Sequence, residues 1–447
     1  MHAYSVIHQS ITPLSSTILL VMASSIFFVS PILLVILFHL LLAKEPTCYA
    51  SNRTVGTQTG FRAPLTRVGL GKNRPHPPMS RYTQNALSND RNGKENLPGL
   101  PVTFPMKEFK DVYTMNIKLG TPPVPFSAIM DTGSDLIWTK CKPDKKSSPG
   151  YFDPSKSSSY VKANESCDFY QLPGCKQKYV DGSVTVALGQ EAITIGSTKI
   201  PDVIFACGKP SEKQFKDYDG VVGMGRGKLS LVSQLDQHVF SYCLASRFEV
   251  SKPSMFLTES LASSALENTK TSIQTMPLLK QEGKPYYYIS LEGISVGGTR
   301  LPVTKSDFAI NNANNDGGMI IDSGTTFTYL EERIVDMIYN EFINQTKLEK
   351  LSSSYYKELK HCFKPPNKNN IIPNLVFHFE GANWELPREN YIYQKKEAMA
   401  KACLAFIANT KSDKLSIFGN MQQQNMMVLY NLDSNNLSFG PAKCHEL

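Results

Sequence analysis

Ile129-Met130-Asp131-Thr132-Gly133-Ser134 and Ile320-Ile321-Asp322-Ser323-Gly324-Thr325 decide how this chain is built. Each is an apolar run that predicts a buried strand, and each delivers an Asp onto a turn. The glycine two residues on lets the backbone bend tightly and approach its neighbour closely. One hydroxyl follows each Asp directly, and a second comes three residues later. Solvated loops rarely flank an Asp with Ile and Met. Both carboxylates are therefore expected partly desolvated at strand ends, where a charge is costly unless hydrogen-bonded. Asp-Ser/Thr-Gly is also good turn chemistry, and one such tetrapeptide arises by chance in a chain this long on the order of a few percent of the time. Two copies, each behind an apolar strand and each in its own half of the chain, carry far more weight than one.

With 447 residues, 41% of them apolar, the chain can bury a large core in more than one lobe. Its 28 Gly, 28 Pro and many short apolar runs predict an all-β protein with few helices. The net charge of +8 is uneven: residues 1–110 hold 11 Lys and Arg against four acidic residues, which leaves +1 for the rest. The basic excess belongs to the N-terminal segment and does not argue for nucleic-acid binding. Nine cysteines show no Cys-x-x-Cys pair and no zinc spacing. Cys48 sits beside an apolar leader, and the eight downstream form an even set expected as disulfides in an oxidising compartment. Asn52, Asn164, Asn344 and Asn436 occupy Asn-x-Ser/Thr sequons, candidate glycosylation sites.

Along the chain, residues 1–50 are expected to be a signal peptide or signal anchor. The apolar stretch 18–43 could span a bilayer, but a start at Met22 gives a leader of ordinary proportions with Cys48-Tyr49-Ala50 as a small-residue cleavage site, and the cleaved signal is preferred. Either leads to the secretory pathway, and on to the extracellular (cell wall) space or the vacuole. Residues 51–105 are basic and poor in apolar periodicity, consistent with a linker or with a propeptide whose cations cover cleft carboxylates until acid weakens the attraction. From Tyr113 strand alternation begins, Gly120-Thr-Pro-Pro-Val-Pro is a turn, and Lys142–Ser159 is a polar loop. Ala192–Ile200 and Val203–Ala206 are expected strands around a turn, and Leu229–Leu235 a short helix. Tyr286–Val296 resumes strand patterning and opens a second lobe. The expected lobes are 106–285 and 286–447. Ile334, Val335, Ile338 and Phe342 mark an amphipathic helix, and Leu415–Gly419 and Leu437–Gly440 are late strands. The glutamines of the Met421–Met427 stretch are expected in a structural turn and strand. His361, His378 and His445 pair with no nucleophile.

Asp131-Thr-Gly-Ser and Asp322-Ser-Gly-Thr together resemble the pepsin-type aspartic proteases. The stretches Leu119-Gly-Thr-Pro-Pro, Asp131-Thr-Gly-Ser-Asp-Leu-Ile-Trp-Thr-Lys-Cys141, Phe205-Ala-Cys-Gly208, Gly220-Val-Val-Gly-Met-Gly-Arg-Gly227, Phe240-Ser-Tyr-Cys243, Gly293-Ile-Ser-Val-Gly297 and Ile417-Phe-Gly-Asn-Met-Gln-Gln-Gln424 narrow this to the plant, nepenthesin-like subgroup. Gly60-Phe-Arg-Ala-Pro-Leu-Thr-Arg67 resembles the start of that family's propeptide. The resemblance implies a bilobal β fold with a central cleft and an endopeptidase that needs neither metal nor cofactor. It implies protein or peptide substrates, no nucleic acid and a monomer. Asp131 and Asp322 match the catalytic pair. Thr132, Gly133, Ser134, Ser323, Gly324 and Thr325 match the supports of the two loops. Tyr179, with Asp181 and Gly182, matches the flap over the substrate, and Trp138 the residue that positions the tyrosine. Val221-Val222-Gly223 and Ile417-Phe418-Gly419 match the segments beneath each loop.

The chain departs from the family in places. Asp144 stands where a cysteine is expected, and the usual partners of Cys141 and Cys207 are missing. By resemblance Cys243–Cys444 and Cys362–Cys403 are pairs, and the orphans suggest Cys141–Cys207 and Cys167–Cys175. In the flap Val180 replaces a glycine and Ala187 another, and a β-branched residue takes positive φ poorly. A non-enzymatic binding or inhibitor protein on the same fold, like the plant xylanase inhibitors, is the alternative, with a cell-surface receptor-like protein anchored through 18–43 as a third reading. Both Asp and all four hydroxyl positions favour the enzyme.

Overall fold

The strand that delivers the first Asp, Val124–Asp131, is buried over its last four residues, as a strand with neighbours on both edges and both faces must be. The computed structural model describes residues 62–68, 112–142 and 151–446, except 164–165, 171, 180–181, 211–217, 250–253, 268–271, 314–315, 352–357, 395–399 and 410–413. Val124–Asp131 pairs antiparallel with Val112–Leu119, Ile129 opposite Thr114. On its other edge it runs parallel to Gly220–Gly223, with Asp131 beside Gly223. Trp138–Lys140 returns antiparallel to Gly220–Gly223 and parallel to Thr198–Pro210.

The second Asp repeats this pattern strand for strand. Met319–Ile321 is antiparallel to Tyr288–Ile289 and parallel to Ser416–Phe418. Thr328–Glu331 returns antiparallel to Ser416–Phe418 and parallel to Phe406–Asn409. Each carboxylate therefore leaves an equivalent strand crossing in its own lobe, and the chain has the mostly β, bilobal form expected of it. Gly220 and Gly223 are required there: a Cβ on Gly220 would meet the Trp138 carbonyl, and one on Gly223 the Asp135 backbone. Behind the second crossing Phe418 packs against Phe377, Phe379 and Trp384 with ring centroids 5.5, 5.7 and 5.0 Å away. That aromatic wall fixes the strand supporting Asp322.

Beneath the crossings one continuous sheet joins the two halves of the chain. Arg62–Val68 pairs with Ser254–Thr258, which pairs with Val239–Cys243. The latter lies against Met426–Asn431, followed by Asn436–Pro441 and Gln274–Leu279. Arg62–Val68 also pairs with Val112–Leu119, and Ala63 and Leu65 are fully buried. This piece of the basic segment is thus a strand of the folded body rather than a cover over the carboxylates. The remainder of 51–105, the apolar stretch 18–43 and Cys48 lie outside the described residues. Among the described residues no helix is long and apolar enough to cross a membrane.

Two expectations need correction. The hairpin expected to turn at Pro201-Asp202 turns instead at Gly196, whose φ is +59°. Its arms, Gly182–Ile195 and Thr198–Pro210, are correspondingly longer, and the register sets Ile193 opposite Ile200 so that both enter the core. Tyr286–Val296 is not one strand: it divides at Ser290 into Tyr288–Ile289, beside the Asp322 strand, and Leu291–Val296, beside Leu375–Phe379. The helix Glu332–Thr346 buries Ile334, Val335, Ile338 and Phe342 as the periodicity predicts. The short helix Leu231–Gln234 starts at Ser230, whose hydroxyl accepts from the Ser233 amide.

Among the described residues four disulfides close the fold: Cys141–Cys207, Cys167–Cys175, Cys243–Cys444 and Cys362–Cys403. Cys243–Cys444 bridges a separation of 201 residues and ties the joining sheet to the chain's end. Cross-links restrict the unfolded chain more as the loop lengthens. The double substitution Cys243→Ser/Cys444→Ser is expected to cost roughly 5 kcal/mol on that chain-entropy basis, read as a lowered urea midpoint; an unchanged midpoint would show that the bridge adds nothing.

Candidate active site

The two Asp loops interlock through reciprocal hydrogen bonds. The Thr132 amide donates to Ser323 Oγ (3.1 Å) and the Ser323 amide to Thr132 Oγ1 (2.9 Å). Each hydroxyl then donates across to the opposite strand: Thr132 Oγ1 to the Ile321 carbonyl at 3.3 Å, Ser323 Oγ to the Met130 carbonyl at 2.8 Å. Thr132 and Ser323 are both fully buried, so these bonds are made without competition from water and an unmade one would be costly. Loops so placed leave no room for side chains at their tips. A Cβ on Gly133 would lie 2.6 Å from Asp322 Oδ2, and one on Gly324 closer still to Asp131 Oδ1.

The carboxylates receive matching support. Gly133 N donates to Asp131 Oδ1 at 2.9 Å, and Gly324 N to Asp322 Oδ1 at 2.7 Å. The outer oxygens accept from hydroxyls: Asp131 Oδ2 from Ser134, Asp322 Oδ2 from Thr325 at 2.6 Å. Asp131 and Asp322 are 7% and 6% exposed, enough to meet a substrate and too little to hydrate two charges. Burial first, then the charge of Asp322, hold the Asp131 carboxyl well above the usual carboxylate range. The Ser134 and Gly133 bonds work against that rise, while hydrogen bonding with Asp322 adds to it. Two acids in this arrangement share a proton and titrate as a pair.

Lys176–Tyr179 and Gly182–Ile195 form a hairpin with Tyr179 opposite Gly182. Val180 and Asp181 lie outside the described residues. Trp138 Nε1 donates to the Tyr179 hydroxyl at 2.7 Å, and that hydroxyl also bonds Ser134. A chain of contacts thus runs from Trp138 through Tyr179 and Ser134 to Asp131. Burial, and next the Asp131 charge, push the Tyr179 phenol far up, so it stays neutral. Trp138 is fully buried, and a Cβ on Gly208 would strike its ring. Ala187 sits in the regular ladder opposite Cys207 with its methyl exposed, so the loss of a glycine there costs the flap nothing.

The other sequence candidates are dispersed. Asn344 is exposed on the Glu332–Thr346 helix, and its sequon threonine is buried with its hydroxyl donating to the Phe342 carbonyl. Asn436 pairs within the joining sheet, and Asn52 and Asn164 lie outside the described residues. His361 contacts Asp336, His378 bonds Ser295 and Asn383, and His445 faces Glu249; none approaches the Asp pair.

Sequence reasoning passed over Asp135. Its Oδ1 accepts from Gly227 N at 2.8 Å, while Gly225 N donates to the Ser134 carbonyl. Side chains at Gly225 or Gly227 would collide with its carboxyl. The loop so fastened reaches the boundary between the lobes, where Arg226 N donates to the Pro285 carbonyl at 2.8 Å, and its guanidinium donates to Asn435 of the second lobe. Burial raises the Asp135 carboxyl to about 7, against the lowering effect of the Gly227 amide. Its place directly after the Asp131 motif was the available signal.

The comparisons agree with this geometry. The family profile described as xylanase inhibitor N-terminal matches residues 113–257, and the one described as xylanase inhibitor C-terminal matches 286–441. Over 349 residues the chain is 42% identical to aspartic proteinase nepenthesin-1 of Nepenthes gracilis, covering 74% of this chain and 78% of that one. It is 33% identical over 412 residues to nepenthesin-2 of the same plant, covering 87% and 91%. Among solved structures it is similar in fold to edgp, with a TM-score of 0.60 at 16% identity over 87% of this chain and 96% of that one. The chain belongs to the plant pepsin-like aspartic protease family that includes the nepenthesins.

Folded Asp135 keeps its proton up to about pH 7, whereas an unfolded Asp releases it near about 4. Between those values the folded state binds more protons, so its stability falls as pH rises. Asp135→Asn keeps the acceptor for Gly227 and removes the ionisation. It is expected to gain roughly 4 kcal/mol over wild type at pH 7 and almost nothing near pH 4, by urea unfolding at the two pH values. Equal gains at both would contradict the assignment.

Proposed function

We propose that this protein is an aspartic endopeptidase that hydrolyses peptide bonds of protein substrates at acid pH with a water activated between Asp131 and Asp322. The observation that carries this reading is the reciprocal seating of the two carboxyls, each bonded by its own glycine amide and outer hydroxyl, with the opposite loop's glycine left bare to admit it. The chemistry requires a base and an acid at once. Carboxyls in contact cannot both ionise, and the Asp pair of aspartic proteases is the general example of that rule. The ionised member takes a proton from water, while the protonated member hydrogen-bonds the scissile carbonyl oxygen. Attack gives a tetrahedral diol, and return of a proton to the amide nitrogen expels the amine. Tyr179, held by Trp138, stands where the hairpin would close over a bound peptide.

The raised Asp131 carboxyl supplies the shared proton under acid conditions, and activity is lost as pH rises through the upper apparent pKa of the pair. The disulfides support maturation in an oxidising compartment, hence the secretory route to the cell wall space or vacuole. A monomer suffices, because one chain provides both carboxyls.

The test is cleavage of a denatured protein between about pH 3 and 6 by acid-treated protein, with and without pepstatin. Wild type is expected to cut only in acid and to be blocked by pepstatin. Asp131→Asn should lose at least about a thousandfold in kcat. Full activity in Asp131→Asn would end the proposal. Silence from a folded wild-type sample would favour a binding or inhibitor protein, the role named in the descriptions of the matching profiles.

A further inference from the structure

Below the Asp pair lies a buried ring of polar side chains that the proposed chemistry does not use. Gln423 Nε2 donates to the Phe418 carbonyl at 2.8 Å and to the carbonyl of Asp322 itself at 3.2 Å. Its Oε1 accepts from the Tyr242 hydroxyl at 2.5 Å. Tyr242 and Tyr430 have their oxygens 3.0 Å apart. Since the Tyr242 hydrogen is committed to Gln423, Tyr430 must donate in that contact. The Tyr430 oxygen in turn accepts from Thr132 Oγ1, whose single hydrogen is shared with the Ile321 carbonyl and whose oxygen accepts from the Ser323 amide. The path leaves the carbonyl of Asp322 and returns at the next residue's amide. Gln423, Tyr242, Tyr430 and Thr132 are all fully buried.

The ring makes the two lobes unequal. In the first, the Asp131 carbonyl is held by a backbone amide, Met224 N at 2.8 Å. In the second, the equivalent carbonyl is held by a side chain. Tyr242 stands on Val239–Cys243 and Tyr430 on Met426–Asn431, the two strands along which the halves of the chain meet. The neighbouring glutamines serve other ends: Gln422 Oε1 accepts from Thr328 and its Nε2 donates to the Asn390 carbonyl, and Gln424 Oε1 accepts from the Arg247 amide. Of these three glutamines, Gln423 is the one that bonds the backbone of a catalytic Asp.

We propose that Gln423 is a positioning residue for Asp322, which it fixes against the sheet joining the two halves of the chain, through Tyr242 and Tyr430, so that the two carboxyls keep the geometry in which they share a proton. The inference deepens the endopeptidase reading and rests on it for its kinetic consequences, but not for its effect on the carboxyl pair. Gln423→Met preserves volume and removes both donor and acceptor. Gln423→Glu retains one donor and the acceptor while protonated and, once ionised, points charge at two carbonyls and at Asp322. Tyr242→Phe removes a single hydroxyl.

In the endopeptidase assay Gln423→Met is expected to lower kcat about tenfold with KM within about twofold, as loss of an interaction expressed in the chemical step requires. Gln423→Glu should stay within about threefold of wild type at the acid end and lose activity earlier as pH rises, moving the upper limb of the profile down by about one unit. A merely structural role would lower the melting temperature and leave the shape of the profile unchanged, and that result overturns the proposal. Carbon-13 titration of the Asp carboxyls, assigned with Asp131→Asn, supplies a readout independent of cleavage. There Gln423→Met, or Tyr242→Phe if the first variant does not fold, should shift the upper apparent pKa of the pair by at least about half a unit. No shift overturns the proposal. A shift in a protein whose wild type cleaves nothing upholds the positioning role and removes the endopeptidase reading.

Discussion

Four hydrogen bonds between the Thr132 and Ser323 loops and their flanking strands hold two carboxyls together that would otherwise repel or hydrate apart. Each bond is worth only about 1 kcal/mol net. Their effect comes from being buried and reciprocal, since neither loop can move without leaving polar groups of both unpaired. Gly133 and Gly324 permit the approach, and the strands that end in Asp131 and Ile321 give the loops a stiff footing. Disturbing the interlock would alter the protonation of Asp131, because its raised affinity for a proton depends on burial and on Asp322 remaining close.

Around that interlock the lobes share a plan and differ in detail. The first adds the Tyr179 hairpin, secured by Trp138, and the Asp135 clasp on the loop that reaches the lobe boundary at Arg226. The second backs its Asp strand with the Phe377, Phe379, Trp384 and Phe418 rings and supports the Asp carbonyl with Gln423. A pseudo-symmetric scaffold thus gives its two acids unequal surroundings, an inequality that the proposed hydrolysis, with its need for one proton donor and one acceptor, would use.

Much of this was legible in the chain. Apolar runs ending in Asp-Thr-Gly and Asp-Ser-Gly carry strand, turn and close approach in six residues each, and the helix at 332–346 follows from its periodicity. What was not legible depends on partners remote in sequence. The turn at Gly196 prevails over Pro201-Asp202 because the register must bury Ile193 opposite Ile200. The division at Ser290 reflects two sheets claiming one apolar run. Asp135 and Gln423 make bonds that reach 92 and 181 residues along the chain, which local pattern cannot reveal. Three successive glutamines between methionines were the clue that buried amides lay there.

The joining sheet also bears on how the molecule comes into being. Val239–Cys243 has Ser254–Thr258 on one edge but gains its other neighbour from Met426–Asn431, and the strand parallel to Met319–Ile321 is Ser416–Phe418. A chain still being translated can therefore display Asp131 and Asp322 while lacking the segments that seat the second against the first. Contacts of such separation form slowly, since the intervening loop must be closed before they repay its entropy. Until the final stretch has left the ribosome, the nascent polypeptide carries two separate aspartates rather than a pair.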